Sequence, residues 1–344
     1  MEKSKMLLVS LGQGAGNIVD GLLSKNKSYN GLFFNSSFVD IQPLKNANMD
    51  KNVYLYPGTD GSGRDRNKSR EMITDNANAI GTLLRKYPQT EVIVIFTSMA
   101  GGTGSGAIKT FIQIANSAIP AAKINVVAIL PSLTEDQLAF KNTIECWNDI
   151  NSVINLVSDI KFIDNNKRNT YNEINNEVVE SLDLSYNIMG IHANGNIDKK
   201  DSFRINTSDG TGIILKLYDG LKDAKTAIDL AIKNSVFAQP DIYDCDYLGI
   251  NLKIDGYDPN EVSKCFEVYK STYITHNDSF NIVTLGGCET PTESIKLIKM
   301  VLDDKSKRNS SRDKKRNVTI SFDEEDTTEQ DNSQTKEVLN FSFD

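Results

Sequence analysis

Residues 96–110, FTSMAGGTGSGAIKT, carry four glycines with a threonine and a serine directly behind an apolar run. A backbone that bare serves either a tight turn or the close approach of a large anion to main-chain amides. The amides of Gly102, Thr103, Gly104 and Ser105, opening a helix, can point at phosphate oxygens. Thr103 and Ser105 add hydroxyls there, and the helix N-terminus adds a favourable dipole. Two more glycine-rich segments, GQGAGN (12–17) and PGTDGSGRD (57–65), also follow apolar runs and favour a phosphate cradle over a simple turn.

Better-known glycine motifs fit poorly. A dinucleotide loop needs GxGxxG, but after Gly12 and Gly14 the third position is Asn17, and the next run ends in Asn35 rather than an acid. A P-loop needs lysine after its last glycine, and Ala107 stands there. The hydrolase elbow GxSxG places its serine one residue earlier than Ser105, and no histidine is suitably placed to serve it. What remains is a phosphate cradle without a lysine.

The elements that must hold this cradle alternate. Short apolar runs at 6–11, 32–34, 53–56, 92–97, 124–130 and 160–163 read as strands, and amphipathic stretches at 17–24, 69–87, 105–117 and 135–157 read as helices. Such alternation predicts a mostly parallel sheet covered on both faces, with ligands beyond the carboxyl ends of its strands. A long helix over 171–191 follows, then a helix near 219–234 and strands at 247–254 and 280–285. Two stretches with strong start signals, 258–270 and 290–302, each combine a cap, a proline and a glutamate. The fold class is therefore α/β. It divides into a nucleotide-binding domain (1–170), a central helix (171–193), a smaller α+β domain (194–290), a C-terminal helix (291–304) and a flexible tail (305–344).

Composition narrows the function. The chain has 344 residues, 39% hydrophobic and 24% charged, as in ordinary globular proteins. No apolar run is long enough to span a bilayer, so no membrane role is expected. Four scattered cysteines without CxxC and only two histidines argue against a protein-built metal site and fit a reducing cytoplasm. A net charge of −8 argues against direct, whole-surface DNA binding. Charge is nevertheless segregated. Residues 305–316 hold seven basic residues (Lys305, Lys307, Arg308, Arg312, Lys314, Lys315, Arg316) and one acid, whereas 317–344 hold eight acids and one lysine. Such segments also read as solvated linkers.

Taken together, the segments resemble the tubulin and FtsZ superfamily. AGGTGSG, from Ala100 through Gly101 to Gly106, is similar to its GGGTG[ST]G signature, with alanine for the first glycine. GQGAGN (Gln13, Gly14, Ala15, Gly16, Asn17) resembles its first nucleotide loop. Asn35 and Ser36 match an Asn-Thr-Asp loop that departs at Ser37. Asp60, Gly61, Ser62 and Gly63 resemble the loop near the γ-phosphate. LPSLTE places Glu135 near the sugar, and Ala139 stands where FtsZ has an arginine. Asn165 and Asn176 occupy the base-recognition positions, where an amide offers a donor and an acceptor to guanine. GNIDKKDSF resembles the family's NxDxxD loop, so Asn196, Asp198 and Asp201 are expected to act on the nucleotide of the next subunit.

The resemblance covers residues 5–300 and is nearest the TubZ branch of plasmid and phage partition systems. It implies a GTPase using GTP/GDP and Mg²⁺, the metal held mainly by phosphates and water. It also implies head-to-tail filaments in a bacterial cytoplasm, encoded on a plasmid or phage, and DNA segregation. The basic tail would meet a TubR-like adaptor on centromere-like repeats. A division-ring protein of FtsZ type or a non-hydrolysing structural filament are the alternatives, as is a monomeric nucleotide-dependent enzyme.

Overall fold

The computed structural model describes residues 1–58, 60–192, 195–240 and 242–316. The chain opens with β1 (Met6–Leu11), α1 (Gln13–Lys25), β2 (Asn30–Asn35), α2 (Phe38–Ile41) and β3 (Val53–Leu55). It continues through α3 (Arg66–Asp75), α4 (Ala77–Leu84), β4 (Val92–Ser98), α5 (Thr103–Ala118), β5 (Lys123–Leu130), α6 (Gln137–Asn151) and β6 (Asp159–Asp164). These six strands are parallel, in the order β6-β5-β4-β1-β2-β3. Strand β1 lies between β4 and β2, so successive crossovers leave it in opposite directions. That is the switch point at which an open parallel sheet leaves a crevice beyond its strand ends.

Burial on both faces explains the unbroken apolar runs. In β1, Leu7, Val9 and Leu11 face one hydrophobic cluster, shared with Ile108, Phe111 and Ile112 of α5. Met6 and Leu8 face another, with Ile18 and Leu22 of α1. The latter cluster also takes Ile174, Val178 and Leu182 of α7 (Tyr171–Tyr186), the central helix.

The second half adds the hairpin β7 (Gly190–His192) and β8 (Gly195–Ile197), then α8 (Lys199–Asn206), β9 (Thr211–Lys216) and α9 (Ala224–Asn234). It ends with β10 (Asp244–Lys253), α10 (Pro259–Ser263), β11 (Glu267–Asn277), β12 (Ile282–Cys288) and α11 (Thr292–Arg316). Its large strands extend the first sheet to ten, in the order β11-β10-β12-β9 beside β6. Residues 1–305 form one compact unit.

Several expected elements change. The helix expected over 69–87 is two helices, broken where Asn76 ends α3 and begins α4. The central helix stops at Tyr186, and β7 follows within the stretch expected to stay helical. The helix expected over 258–270 lasts only from Pro259 to Ser263. Asp258 caps it as expected, but Glu267–Asn277 is a strand that the start signal hid. Strand β9, a short TGIILK, was not anticipated. Helix α11 begins at Thr292, one residue later than expected, and continues through Arg316, so the basic segment is helical rather than a loose tail. The acidic stretch 317–344 lies outside the described residues. Among the described residues no helix is long and apolar enough to cross a membrane.

Candidate functional site

A crevice of about 780 Å³ opens at the switch point. Two helix N-termini border it. Gly12 caps α1 with φ 83°, a left-handed conformation that suits glycine, and its amide donates to the Phe34 carbonyl at 2.9 Å. Gln13, Gly14 and Asn17 of that first turn line the crevice, whereas Ala15 and Gly16 turn into the core.

Across from α1, Ala100, Gly101, Gly102, Thr103 and Gly104 line the crevice where α5 begins. Here the bare backbone has two causes. A Cβ on Gly104 would collide with the Leu11 carbonyl and the Thr97 hydroxyl, and one on Gly102 would sit 2.6 Å from Arg64 Cα. Gly101 has no such neighbour closer than 3.9 Å and simply faces the opening. The glycines thus let three chain segments close on one another and leave first-turn amides turned outward.

Asn142 of α6 fixes that orientation. It is buried, and its Nδ2 donates to the carbonyls of Arg64 (3.1 Å), Ala100 (3.2 Å) and Gly101 (3.2 Å). In a planar trans peptide the N–H opposes the C=O. Drawing the Ala100 and Gly101 carbonyls back therefore turns the Gly101 and Gly102 amides the other way. No sequence spacing marked Asn142 for this role.

Three hydroxyls from three loops meet at the rim. Thr103 Oγ1 lies 2.8 Å from Ser36 Oγ and donates to Ser62 Oγ at 3.2 Å. Gly61, Ser62 and Gly63 line the same wall, and Gly61 N donates to the Ser36 carbonyl at 2.7 Å. Glu135 closes the far side, its carboxylate accepting from Ser132 N (3.1 Å), Arg64 Nη2 (3.3 Å) and Tyr171 Oη (3.5 Å). Its neighbour Asp136 caps α6. The Ala139 amide, aided by Arg64, holds that carboxyl below the usual range.

Some expected contacts are not there. Ser105 is fully buried and its hydroxyl donates back to the Gly101 carbonyl, so it offers nothing to the crevice. Asn35 lies beneath its loop, where its Oδ1 accepts from Ser36 N at 2.8 Å and Ser37 N at 3.3 Å. It shapes the wall without lining it. Asp60 is exposed and off the crevice. Asn165 lines the crevice but Asn176 does not. The capping box of Thr170 and Glu173 starts α7 so that Tyr171, Asn172 and Asn175 face inward instead. One residue along a helix is 100° of rotation, enough to turn an amide away.

Asp198 and Asp201 are absent from this crevice. They form the reciprocal cap of α8: Asp198 Oδ1 accepts from Lys200 N (2.7 Å) and Asp201 N (2.9 Å), and Asp201 Oδ2 accepts from Asp198 N (3.2 Å). Those amide bonds, led by that of Asp201, hold the Asp198 carboxyl below its ordinary range. Thus the two acids lie on a capped helix rather than a free loop, with Asn196 exposed just before them in β8. Helix α8 packs at the amino end of β1. Glu2 pairs with Lys199 at 3.2 Å, and the Met1 ammonium donates to Ser202 at 2.6 Å. Buried Asn206 ties the other end of α8 to Ser185 of α7 (2.8 Å) and Asn125 of β5 (2.7 Å). The crevice lies at the carboxyl end of the same strand. Six residues of β1, about 20 Å, separate the two.

Lys305 belongs to this unit rather than to a tail. Its ammonium donates to the Glu135 carbonyl and lies 4.6 Å from the Phe140 ring centre. A larger hollow of about 1450 Å³ between the start of α9, the end of β10 and α10 is a weaker site. Its charges satisfy one another, as in Lys253–Asp219 and Lys264–Glu261, and the two helix starts at its edge already have their amides capped by Asp223 and Asp258. Among the described residues no group of acids, cysteines and histidines is placed to hold a metal by itself.

Comparison with known proteins points to one family and one fold. Residues 5–172 match the family model described as Tubulin/FtsZ family, GTPase domain. A Tubulin-like protein TubZ of a Clostridium botulinum C phage is 31% identical over 343 residues, spanning 98% of this chain and 94% of the relative. The solved structure of Clostridium botulinum phage c-st TubZ without its C-terminal tail aligns with a TM-score of 0.82 at 29% identity, covering 90% of this chain and 100% of that one. A GTPγS-form protofilament of Bacillus thuringiensis serovar israelensis TubZ shares the fold, with a TM-score of 0.74 at 15% identity over 90% of this chain and 94% of that one.

Proposed function

We propose, since the chain belongs to the Tubulin/FtsZ family, that this GTPase completes its active site only between two subunits stacked head to tail. One observation carries the reading. The phosphate cradle and the Asp198/Asp201 pair occupy opposite ends of β1, so neither can act on the other within one chain.

Guanine nucleotide lies in the crevice with its phosphates toward the amides of α1 and α5 and the hydroxyls of Ser36, Ser62 and Thr103. Asn165, Asn172 and Asn175 stand where a base edge needs a donor and an acceptor. The unpaired first-turn amides and this cluster of hydroxyls fit a triphosphate, and Mg²⁺, held largely by phosphate oxygens and water, would offset its charge. Phosphoryl transfer asks little covalent chemistry of protein; positioning and charge do most of it. Asp198 and Asp201 of the next subunit orient the attacking water, and Asn196 supports them. Hydrolysis is then slow in dilute subunits and switched on by assembly.

A contact between unlike ends does not close on itself and propagates as a filament. The protofilament form of the Bacillus thuringiensis TubZ supports this assembly. Likeness to a phage TubZ further supports a role in moving DNA within the bacterial cytoplasm. The basic residues from Lys307 to Arg316 then engage a DNA-bound adaptor of the TubR kind rather than DNA or membrane directly. The reading is tested by light scattering with GTP, GDP and ATP while phosphate release is followed. Scattering and release should rise together, with GTP alone and above a threshold concentration.

A further inference from the structure

Arg64 is the only cationic side chain lining the crevice among the described residues, facing a site that must accept a highly charged triphosphate. It is also their only non-glycine residue with a left-handed backbone, at φ 63°. A β-carbon is disfavoured there and glycine is not, so a side chain kept at that position has its reason in the side chain. The backbone is pinned: its carbonyl accepts from Asn142 at 3.1 Å, and its Cα packs where a Cβ on Gly102 would come within 2.6 Å. The guanidinium is held less firmly. It is 40% exposed and lies on Asp136 (2.6 Å) and Glu135 (3.3 Å), half-exposed pairs of a kind that holds weakly.

Building on the crevice as the nucleotide site, we propose that Arg64 recognises the terminal phosphate. Its guanidinium leaves Glu135 and Asp136 for phosphate oxygens, where planar, two-pronged donation is strongest. Glu135 is thereby freed to accept a hydrogen bond from the nucleotide. Arg64 thus favours triphosphate over diphosphate, and charge reaches this lysine-free cradle from the neighbouring loop.

The test is binding of fluorescent GTPγS and GDP to dilute subunits, below the threshold for assembly. Arg64→Gly suits the left-handed backbone while removing the guanidinium, and Arg64→Lys keeps a charge. Arg64→Gly is expected to weaken GTPγS binding about tenfold or more, and GDP binding less. Arg64→Lys should recover part of the difference, and unliganded Arg64→Gly should melt no lower than wild type. Wild-type GTPγS affinity in Arg64→Gly would overturn the assignment. So would equal loss of both nucleotides unrelieved by lysine, or a lowered melting temperature, each of which marks a packing role. Because isolated subunits are measured, failure here leaves the split active site standing. Loss of concentration-dependent turnover would sink that reading without touching Arg64.

Discussion

The two ends of β1 solve opposite problems. At the carboxyl end the chain presents main-chain amides, and its side chains serve mostly to aim them: Asn142 draws carbonyls back, and Gly102 and Gly104 let the loops close. At the amino end the backbone is satisfied by a helix cap, and what is presented is carboxylate. Damage at the first end should therefore come from added bulk or lost aim, and at the second from loss of a functional group. On the function proposed above, a site divided this way does not fire in one chain.

The sharpest contrast is expected from Asp201→Ala. Nucleotide binding and filaments should persist while turnover falls about a hundredfold or more, measured by phosphate release beside pelleting. Asp198→Ala should act similarly, with weaker assembly. At the other end, Gly104→Val should abolish nucleotide binding and destabilise the fold by about 1–3 kcal/mol in urea titration, because the new side chain meets the Leu11 carbonyl. Asn142→Leu should be milder. It takes the Asn142 donor from the Arg64 and Ala100 carbonyls and leaves Gly101 only its bond from Ser105, costing about 1–3 kcal/mol, and weakens nucleotide binding by equilibrium titration without altering the acids.

Ending the chain after Lys305 should leave polymerisation intact, since Lys305 is retained on Glu135, but loosen adaptor–DNA binding. The full-length interaction should weaken with salt, and an unchanged affinity after trimming would remove the adaptor role. The smallest effect concerns pH. The Asp198 carboxyl is held below its usual value in the fold, so its contribution to α8 is present above the unfolded value, about 3.9, and lost as pH falls through the folded one. Melting curves of wild type and Asp198→Asn should converge in that acid range.

Much of the first half was legible because its signals are local. Runs buried on both faces announced β1, β4 and β5, and the three glycine segments marked the strand ends where the crevice forms. What escaped depends on tertiary context. Strand β11 was hidden behind Asp258 and Pro259, whose start signal says nothing of where a helix stops. Asn176 does not line the crevice whereas Asn172 and Asn175 do, because sequence places the helix without fixing which of its asparagines faces inward. Ser105 matched the motif, yet its hydroxyl serves its own turn. Asn142 and Arg64 belong to no spacing rule, because each acts across loops distant in sequence.

Turnover per subunit measured against total protein concentration decides whether catalysis belongs to the molecule or to the contact. A negligible rate when dilute, rising steeply beyond the assembly threshold, is the expected result. The same rate per subunit at every concentration would place a whole active site in one chain and contradict this account.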